Sequence, residues 1–205
     1  HRLYMVDVIG EPGLSAPSRP PRSSDAYALW LDDVLDGLGV DTAALVGVSL
    51  GGWLATDYAI RRAGRVQRLA LRAPGGIGCQ RYGAVLAALA LMPFGDRGTR
   101  LALRIALGPG NIPDPVIDYM LAIQRNYRPR HDTLPVFSDT DLKSITAPLF
   151  VALGARDRMT SSRDTAARLR RLQRTASINV LADVGDGPLD DGAELHTFMS
   201  EGAEP

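Results

Sequence analysis

Lysine is almost absent from this chain. Lys143 stands alone, and arginine supplies the rest of the 23 basic residues. Twenty-three acidic residues match them, so the formal net charge is zero. No long-range field draws nucleic acid, and no basic cluster is interleaved with aromatics. Cysteine is as scarce: Cys79 is the single one, which excludes a disulfide framework and a cysteine-rich zinc site. In its Gly-rich stretch it reads as a small packed residue. No apolar run reaches the roughly 20 residues of a membrane span. The run Val85–Met92 is stopped by Pro93, so no membrane partner is expected. There is no phosphate loop and no dinucleotide fingerprint. Asp190-Asp191 and Asp139 with Asp141 lack His or Cys neighbours and read as solvated loop charge. No metal and no cofactor are therefore expected.

The 205 residues fit one large domain, or one domain with an insertion. The chain starts at His1 inside a strand-like pattern, which reads as a truncated or partly ordered chain. A cytoplasmic location is the expectation, and any targeting segment would lie upstream.

Leu3–Ile9 is β-branched and apolar and closes on Gly10-Glu11-Pro12-Gly13, which predicts a strand and a loop. From Asp25 to Leu38 the residues Tyr27, Trp30, Leu31, Val34, Leu35 and Leu38 share one helical face, with Ser24 as a start signal and Gly39 as a stop. Ala43–Val48 predicts a buried strand, Leu50–Arg62 a helix ended by Gly64, and Val66–Ala73 a third strand stopped by Pro74. Short loops between alternating strands and helices imply a parallel sheet. From Gly76 to about Ile145 the pattern turns to Ala/Leu-rich helical stretches, at Tyr82–Met92, Arg97–Leu107 and Pro113–Tyr127. Strands return at Leu149–Leu153 and Ser177–Leu181, with a helix at Ser161–Arg174 between them and a last helix at Asp191–Ser200. The expected organisation is an α/β core of residues 1–75 and 146–205, with a helical insertion of 76–145 over the C-terminal edge of the sheet as a candidate lid.

Gly47-Val48-Ser49-Leu50-Gly51 fits G-x-S-x-G between a buried strand and a helix. The chain turns so sharply at the serine that side chains at positions 47 and 51 are expected to clash. The turn lifts the hydroxyl above the sheet and places it at a helix N-terminus, where free N–H groups favour negative charge. The Leu50 N–H is then one candidate oxyanion donor. A Gly-rich strand-to-helix turn with a capping serine has the same residues.

With these residues in view, the sequence resembles the α/β-hydrolase superfamily, and within it the esterase-like enzymes with a helical cap. Asp7-Val8-Ile9-Gly10-Glu11-Pro12-Gly13-Leu14-Ser15 is similar to the family's D-x-x-G-x-G-x-S loop. Gly47–Gly52 resembles its elbow, and Ala147–Asp157 its seventh strand and acid loop. The resemblance implies that Ser49 is the nucleophile and Asp157 the triad acid, in the family's order. Asp157 also follows a buried strand, which sets it at the same sheet edge as Ser49. A loop aspartate capping the next helix is the other reading of it.

The chain departs from the family in three places. The family's histidine slot after the eighth strand holds Asp186, within Asp183-Val184-Gly185-Asp186-Gly187-Pro188. A carboxylate there is a weak base, and near Asp157 it adds like-charge repulsion. Of the three histidines, His1 is terminal, His131 lies in the insertion and His196 falls ten positions late, so no base is assigned. The family's first three strands are missing, which leaves the Leu3–Ile9 strand to pair with Ala43–Val48, to pair with another chain, or to keep unpaired backbone groups. Self-association is accordingly one expectation. Last, Arg72 interrupts an apolar strand and is expected to pair with a carboxylate such as Asp186 or Asp157.

Two functions follow. One is a serine hydrolase of carboxylic ester, thioester or lactone bonds, impaired at its base and acting on a small hydrophobic acyl or ester substrate. The other is a silent fold relative that binds a small molecule or serves as an interaction module.

Overall fold

Four short strands build the sheet. They are β1 (Ala43–Val48), β2 (Val66–Arg72), β3 (Leu149–Gly154) and β4 (Ser177–Leu181), all parallel, in the order β1-β2-β3-β4. The structure is a computed structural model that describes residues 2–108, 112–128, 130, 132–185 and 191–201. The helices are α1 (Ala26–Gly37), α2 (Leu50–Arg61), α3 (Gly83–Leu91), α4 (Gly95–Leu107), α5 (Asp114–Asn126), α6 (Asp139–Ser144), α7 (Ser162–Leu172) and α8 (Gly192–Ser200).

Period-two alternation in β2 and β3 divides the core between the two faces of the sheet. Leu69, Leu71, Leu149, Val151 and Leu153 point to one face and pack with Tyr27 and Leu35 of α1, Trp53 and Tyr58 of α2 and Leu169 of α7. Each such buried side chain contributes about 1.5–3 kcal/mol. Ala70, Phe150 and Ala152 point to the other face, where Phe198 of α8 covers them, its ring 5.5 Å from that of Phe150. Helices thus lie on both faces of a parallel sheet. Gly39 closes α1 as expected: at φ 67° it follows the helix, and Val40 N–H reaches back to Leu35 O at 2.9 Å.

The strand expected at Leu3–Ile9 does not form. Residues 2–8 join no ladder, and Leu3 and Met5 face solvent. Local bonds hold this segment instead, with Leu14 N–H donating to Asp7 Oδ2 at 2.9 Å and Gly10 N–H to Ala16 O at 2.9 Å. Only Val8 and Ile9 reach the core. The run has strand propensity but no neighbour in register, so β1 is an edge strand among the described residues.

Two other expectations change. Asp139 and Asp141 are not loop charge: they open α6, where Ser138 and Asp141 form a reciprocal capping box and Asp139 pairs with Arg168 and Arg171. Cys79 is exposed, not packed.

Between β2 and β3 in sequence, α3 packs on α4 and α4 on α5, with a small separate core of Leu103, Ile112 and Ile117. Ile77, Phe137, Leu142 and Ile145, which flank those helices, belong to the main core.

Candidate active site

Parallel strands deliver their C-terminal ends to one edge of the sheet. Ser49 leaves β1 there, and Asp157 follows β3 by three residues at the same edge. The two strands are separated by β2 alone, a lateral offset of about 10 Å at the spacing of a sheet.

Ser49 sits at φ 51° and ψ −110°, outside the regions L-residues prefer. Such a residue costs of order 1–3 kcal/mol and persists only where its surroundings fix it. Here its N–H donates to Arg72 O at 2.9 Å, and its carbonyl accepts from Trp53 N–H at 3.1 Å and Gly75 N–H at 3.3 Å. Ala73, the residue after β2, is strained too, at φ 44°, and is pinned by its N–H to Ala152 O at 2.9 Å. The two positive-φ non-glycine residues among those described therefore lie at adjacent strand ends. The Ser49 side chain is exposed and carries no hydrogen bond to any described residue.

The glycine requirement is partly other than expected. A Cβ on Gly47 falls 2.4 Å from Gly51 O and 2.7 Å from Gly52 Cα, so position 47 admits no side chain. A Cβ on Gly51 meets nothing within 4 Å, so Gly51 contributes its backbone and no space. The second tight position is Gly52, whose Cβ lies 3.0 Å from Pro74 Cβ.

Asp157 is 1% exposed and accepts three hydrogen bonds. Its Oδ1 accepts from Met159 N–H at 2.6 Å and Thr160 N–H at 2.9 Å, and its Oδ2 accepts the Thr160 hydroxyl at 2.6 Å. It does not cap α7. Ser161 does, accepting from Asp164 N–H at 3.3 Å. The loop is braced from outside by Cys79–Arg81: Ser161 N–H donates to Cys79 O at 2.9 Å, Arg81 N–H to Met159 O at 2.8 Å, and Arg81 Nη1 to Asp157 O at 3.0 Å. Sequence reasoning missed Thr160 and Arg81. The spacing Asp-x-x-Thr was a readable signal for the first, and none pointed to the second.

Asp186, with Leu189 and Asp190 beside it, lies outside the described residues, as do His1 and His131. The stem before Asp186 is described. Val184 O accepts from Arg156 N–H at 2.9 Å, and a Cβ on Gly154 falls 2.1 Å from Gly185 O. The chain thus reaches position 185 in contact with the acid loop. His196 is an exposed residue of α8. Arg72 pairs with Asp191, a carboxylate that was not among those expected: Nε donates to Asp191 Oδ2 at 3.0 Å and Nη2 to Oδ1, while Asp186 lies outside the described residues. Asp191 is 1% exposed, so it is no solvated loop charge; it stands at the start of α8 and ties that helix to β2.

The loop of residues 7–15 is tied to the helical segment by Tyr127, whose hydroxyl donates to Glu11 Oε2 at 2.6 Å. Burial and that acceptor push the Tyr127 phenol up to about 12. Among the described residues no group of three or more His, Cys, Asp or Glu converges on a metal position. Two grooves of about 560 Å3, one between residues 3–7 and α1 and one between Ile77–Cys79 and α7, are lined by neither Ser49 nor Asp157.

A strained serine between a parallel strand and a helix, with a buried carboxylate two strands away, is the frame of one known family. The family model described as "Alpha/beta hydrolase family" matches residues 1–197, and the chain belongs to that family. Carboxylesterase YbfK of Bacillus subtilis is 30% identical over 166 residues, 77% of this chain and 56% of that protein. An uncharacterized carboxylesterase, nap, of the same organism is 28% identical over 162 residues, 75% of this chain and 54% of that one. The chain spans about half the length of these curated relatives. The crystal structure of carboxylesterase CesB (YbfK) superposes with a TM-score of 0.79 at 24% identity, covering 96% of this chain and 73% of that one, a likeness of fold.

Proposed function

We propose that this chain carries the core of a serine hydrolase of carboxylic esters, with Ser49 as nucleophile and Asp157 as the acid behind the base. The carrying observation is the Ser49 backbone at φ 51°, held by three hydrogen bonds with the hydroxyl bonded to no described residue. Strain of this kind, over-determined by its surroundings, is what a nucleophile elbow requires. The two Bacillus subtilis relatives named as carboxylesterases support the ester class. Thioesters and lactones offer the same electrophilic carbonyl.

In the reaction Ser49 Oγ attacks the carbonyl carbon while its proton passes to a base. The Leu50 N–H, free at the N-terminus of α2, points its dipole at the developing oxyanion. The alcohol leaves with a proton, and water then releases the acid from the acyl-enzyme. The family's base position is 186, where this chain holds a carboxylate. The stem residues Val184 and Gly185 pack on the acid loop, which supports that slot as the place of proton transfer. With a carboxylate in place of imidazole, turnover falls by about four to six decades. In this reading residues 76–145 form the cap. The separate core of α4 and α5 supports a moving part narrower than that, from α3 to α5.

A second reading, a silent fold relative, is favoured by one observation. The Asp157 carboxylate already accepts three hydrogen bonds, from Met159 and Thr160, and no described histidine reaches it. Hydrolysis of a p-nitrophenyl ester separates the two. Asp186→His raises the rate, and Ser49→Ala returns it to that of buffer, if the hydrolase reading holds. An unchanged rate in both variants leaves the silent relative.

A further inference from the structure

Helix α3 has no polar residue: its sequence is one glycine followed by eight alanine, valine and leucine residues. One side packs on α4 so closely that a Cβ on Gly98 falls 1.9 Å from Leu91 O. A helix with a packed apolar side is ordinarily polar on the other. Here the outward side holds Leu86, Leu89, Ala90, Pro93 and Phe94, all exposed, at the spacing i, i+3, i+4, i+7, i+8. Leu86 is 64% exposed, Leu89 57% and Phe94 69%. This is a continuous apolar stripe facing solvent, built as regularly as a core face.

We infer that this stripe docks the protein on an anionic lipid surface. The stripe has no donor or acceptor side chain with which a folded partner fixes register, and interfaces between proteins carry such a polar rim. Its ends are ordered as at a lipid–water boundary. Exposed Tyr82 and Phe94 flank the aliphatic stretch, and Arg81 and Arg97 lie beyond them. Arg97 is exposed and pairs with no acidic residue among those described. Residues 81–126 hold five arginines against three aspartates, whereas the whole chain is balanced at zero. Three of these arginines pair with the three aspartates, so the excess is Arg81, just before α3, and Arg97, in α4. A helix of nine residues is about 14 Å long and lies in the headgroup plane; it does not cross. Among the described residues no helix is long and apolar enough to cross a membrane. Arg81 also bonds Asp157 O, so the stripe begins beside the acid loop. If Ser49 is a nucleophile, its esters then come from that lipid surface, a clause that rests on the proposed function; docking itself does not.

Co-sedimentation of the full chain with vesicles tests this. Vesicles of phosphatidylcholine mixed equally with phosphatidylglycerol take up the protein, and pure phosphatidylcholine vesicles take up far less. The double variant Leu86→Ser/Leu89→Ser lowers partition by about tenfold or more. Arg97→Gln lowers it by about fivefold, the effect of one cation near an anionic surface. Leu29→Ser, at an exposed leucine of α1, binds as wild type, as does Ser49→Ala, which separates this inference from the catalytic reading. Far-UV circular dichroism confirms that each variant folds. Equal partition of wild type and the double variant overturns the inference. So does sedimentation velocity showing a lipid-free dimer that the double variant dissolves, because a second copy then covers the stripe.

Discussion

The Thr160 hydroxyl donates to Asp157 Oδ2 at 2.6 Å, and the Thr160 N–H donates to Oδ1 of the same carboxylate at 2.9 Å. One residue thus grips both oxygens of a carboxylate that is almost entirely withdrawn from water. Thr160→Val keeps the shape and removes the hydroxyl bond. A hydrogen bond to a charged group contributes about 1.5–3 kcal/mol, so chemical denaturation of the Val variant should show a loss in that range. Thr160→Ser should restore most of it. Equal midpoints for wild type and Val would mean that the hydroxyl does not hold the acid.

The elbow makes a contrasting pair of predictions. Gly47→Ala drives a methyl into Gly51 O and should cost about 3 kcal/mol or more while displacing Ser49. Gly51→Ala enters open space in the first turn of α2 and should be neutral or stabilising by up to about 1 kcal/mol. Melting temperatures of the two variants decide between this account and one in which both glycines are sterically required.

Arg72 and Asp191 join β2 to the start of α8 across 119 positions of sequence. Arg72→Met leaves a buried carboxylate without its guanidinium. A cost of about 2–3 kcal/mol is expected, lowering the melting temperature by roughly 5–10 °C. Adding Asp191→Asn should cost less than the two single effects combined. Strict additivity would show that the pair is not coupled.

The limits of β1 and β4 could be read from the sequence because β1 is an apolar run and β4 alternates polar and β-branched residues. Leu3–Ile9 is patterned in the same way, yet it forms no strand. Strand formation needs a neighbour in register, and that is a tertiary fact. Ser49 and Gly47 were legible because the motif is local, with the clash that requires Gly47 falling on Gly51 and Gly52. Arg81 and Asp191 were not, since their partners Asp157 and Arg72 lie 76 and 119 positions away. The sequence marked Arg72 as a misfit in an apolar strand and so required a carboxylate, but only the fold selects which one.

Alkaline pH tests the tie between the 7–15 loop and the helical segment. The Tyr127 phenol is raised from its ordinary value of 10 to about 12 by burial and by its bond to Glu11. In the unfolded chain it ionises first, so the stability it contributes is complete below pH 10 and is lost as pH rises through about 12. Tyr58, raised by burial and by its bond to Asp32, acts in the same direction. Tyr127→Phe should make the alkaline fall in melting temperature shallower. An identical slope would show that the tie does not persist in solution.

The central claim is that Ser49 is an activated nucleophile. Fluorophosphonate labelling followed by intact mass tests it most directly, with Ser49→Ala as control and a folded state verified by circular dichroism. The account predicts one adduct per chain, slow to form, lost in Ser49→Ala and formed faster in Asp186→His. A folded protein that takes no adduct in either the wild type or the Asp186→His variant, or one that keeps its adduct in Ser49→Ala, would contradict it.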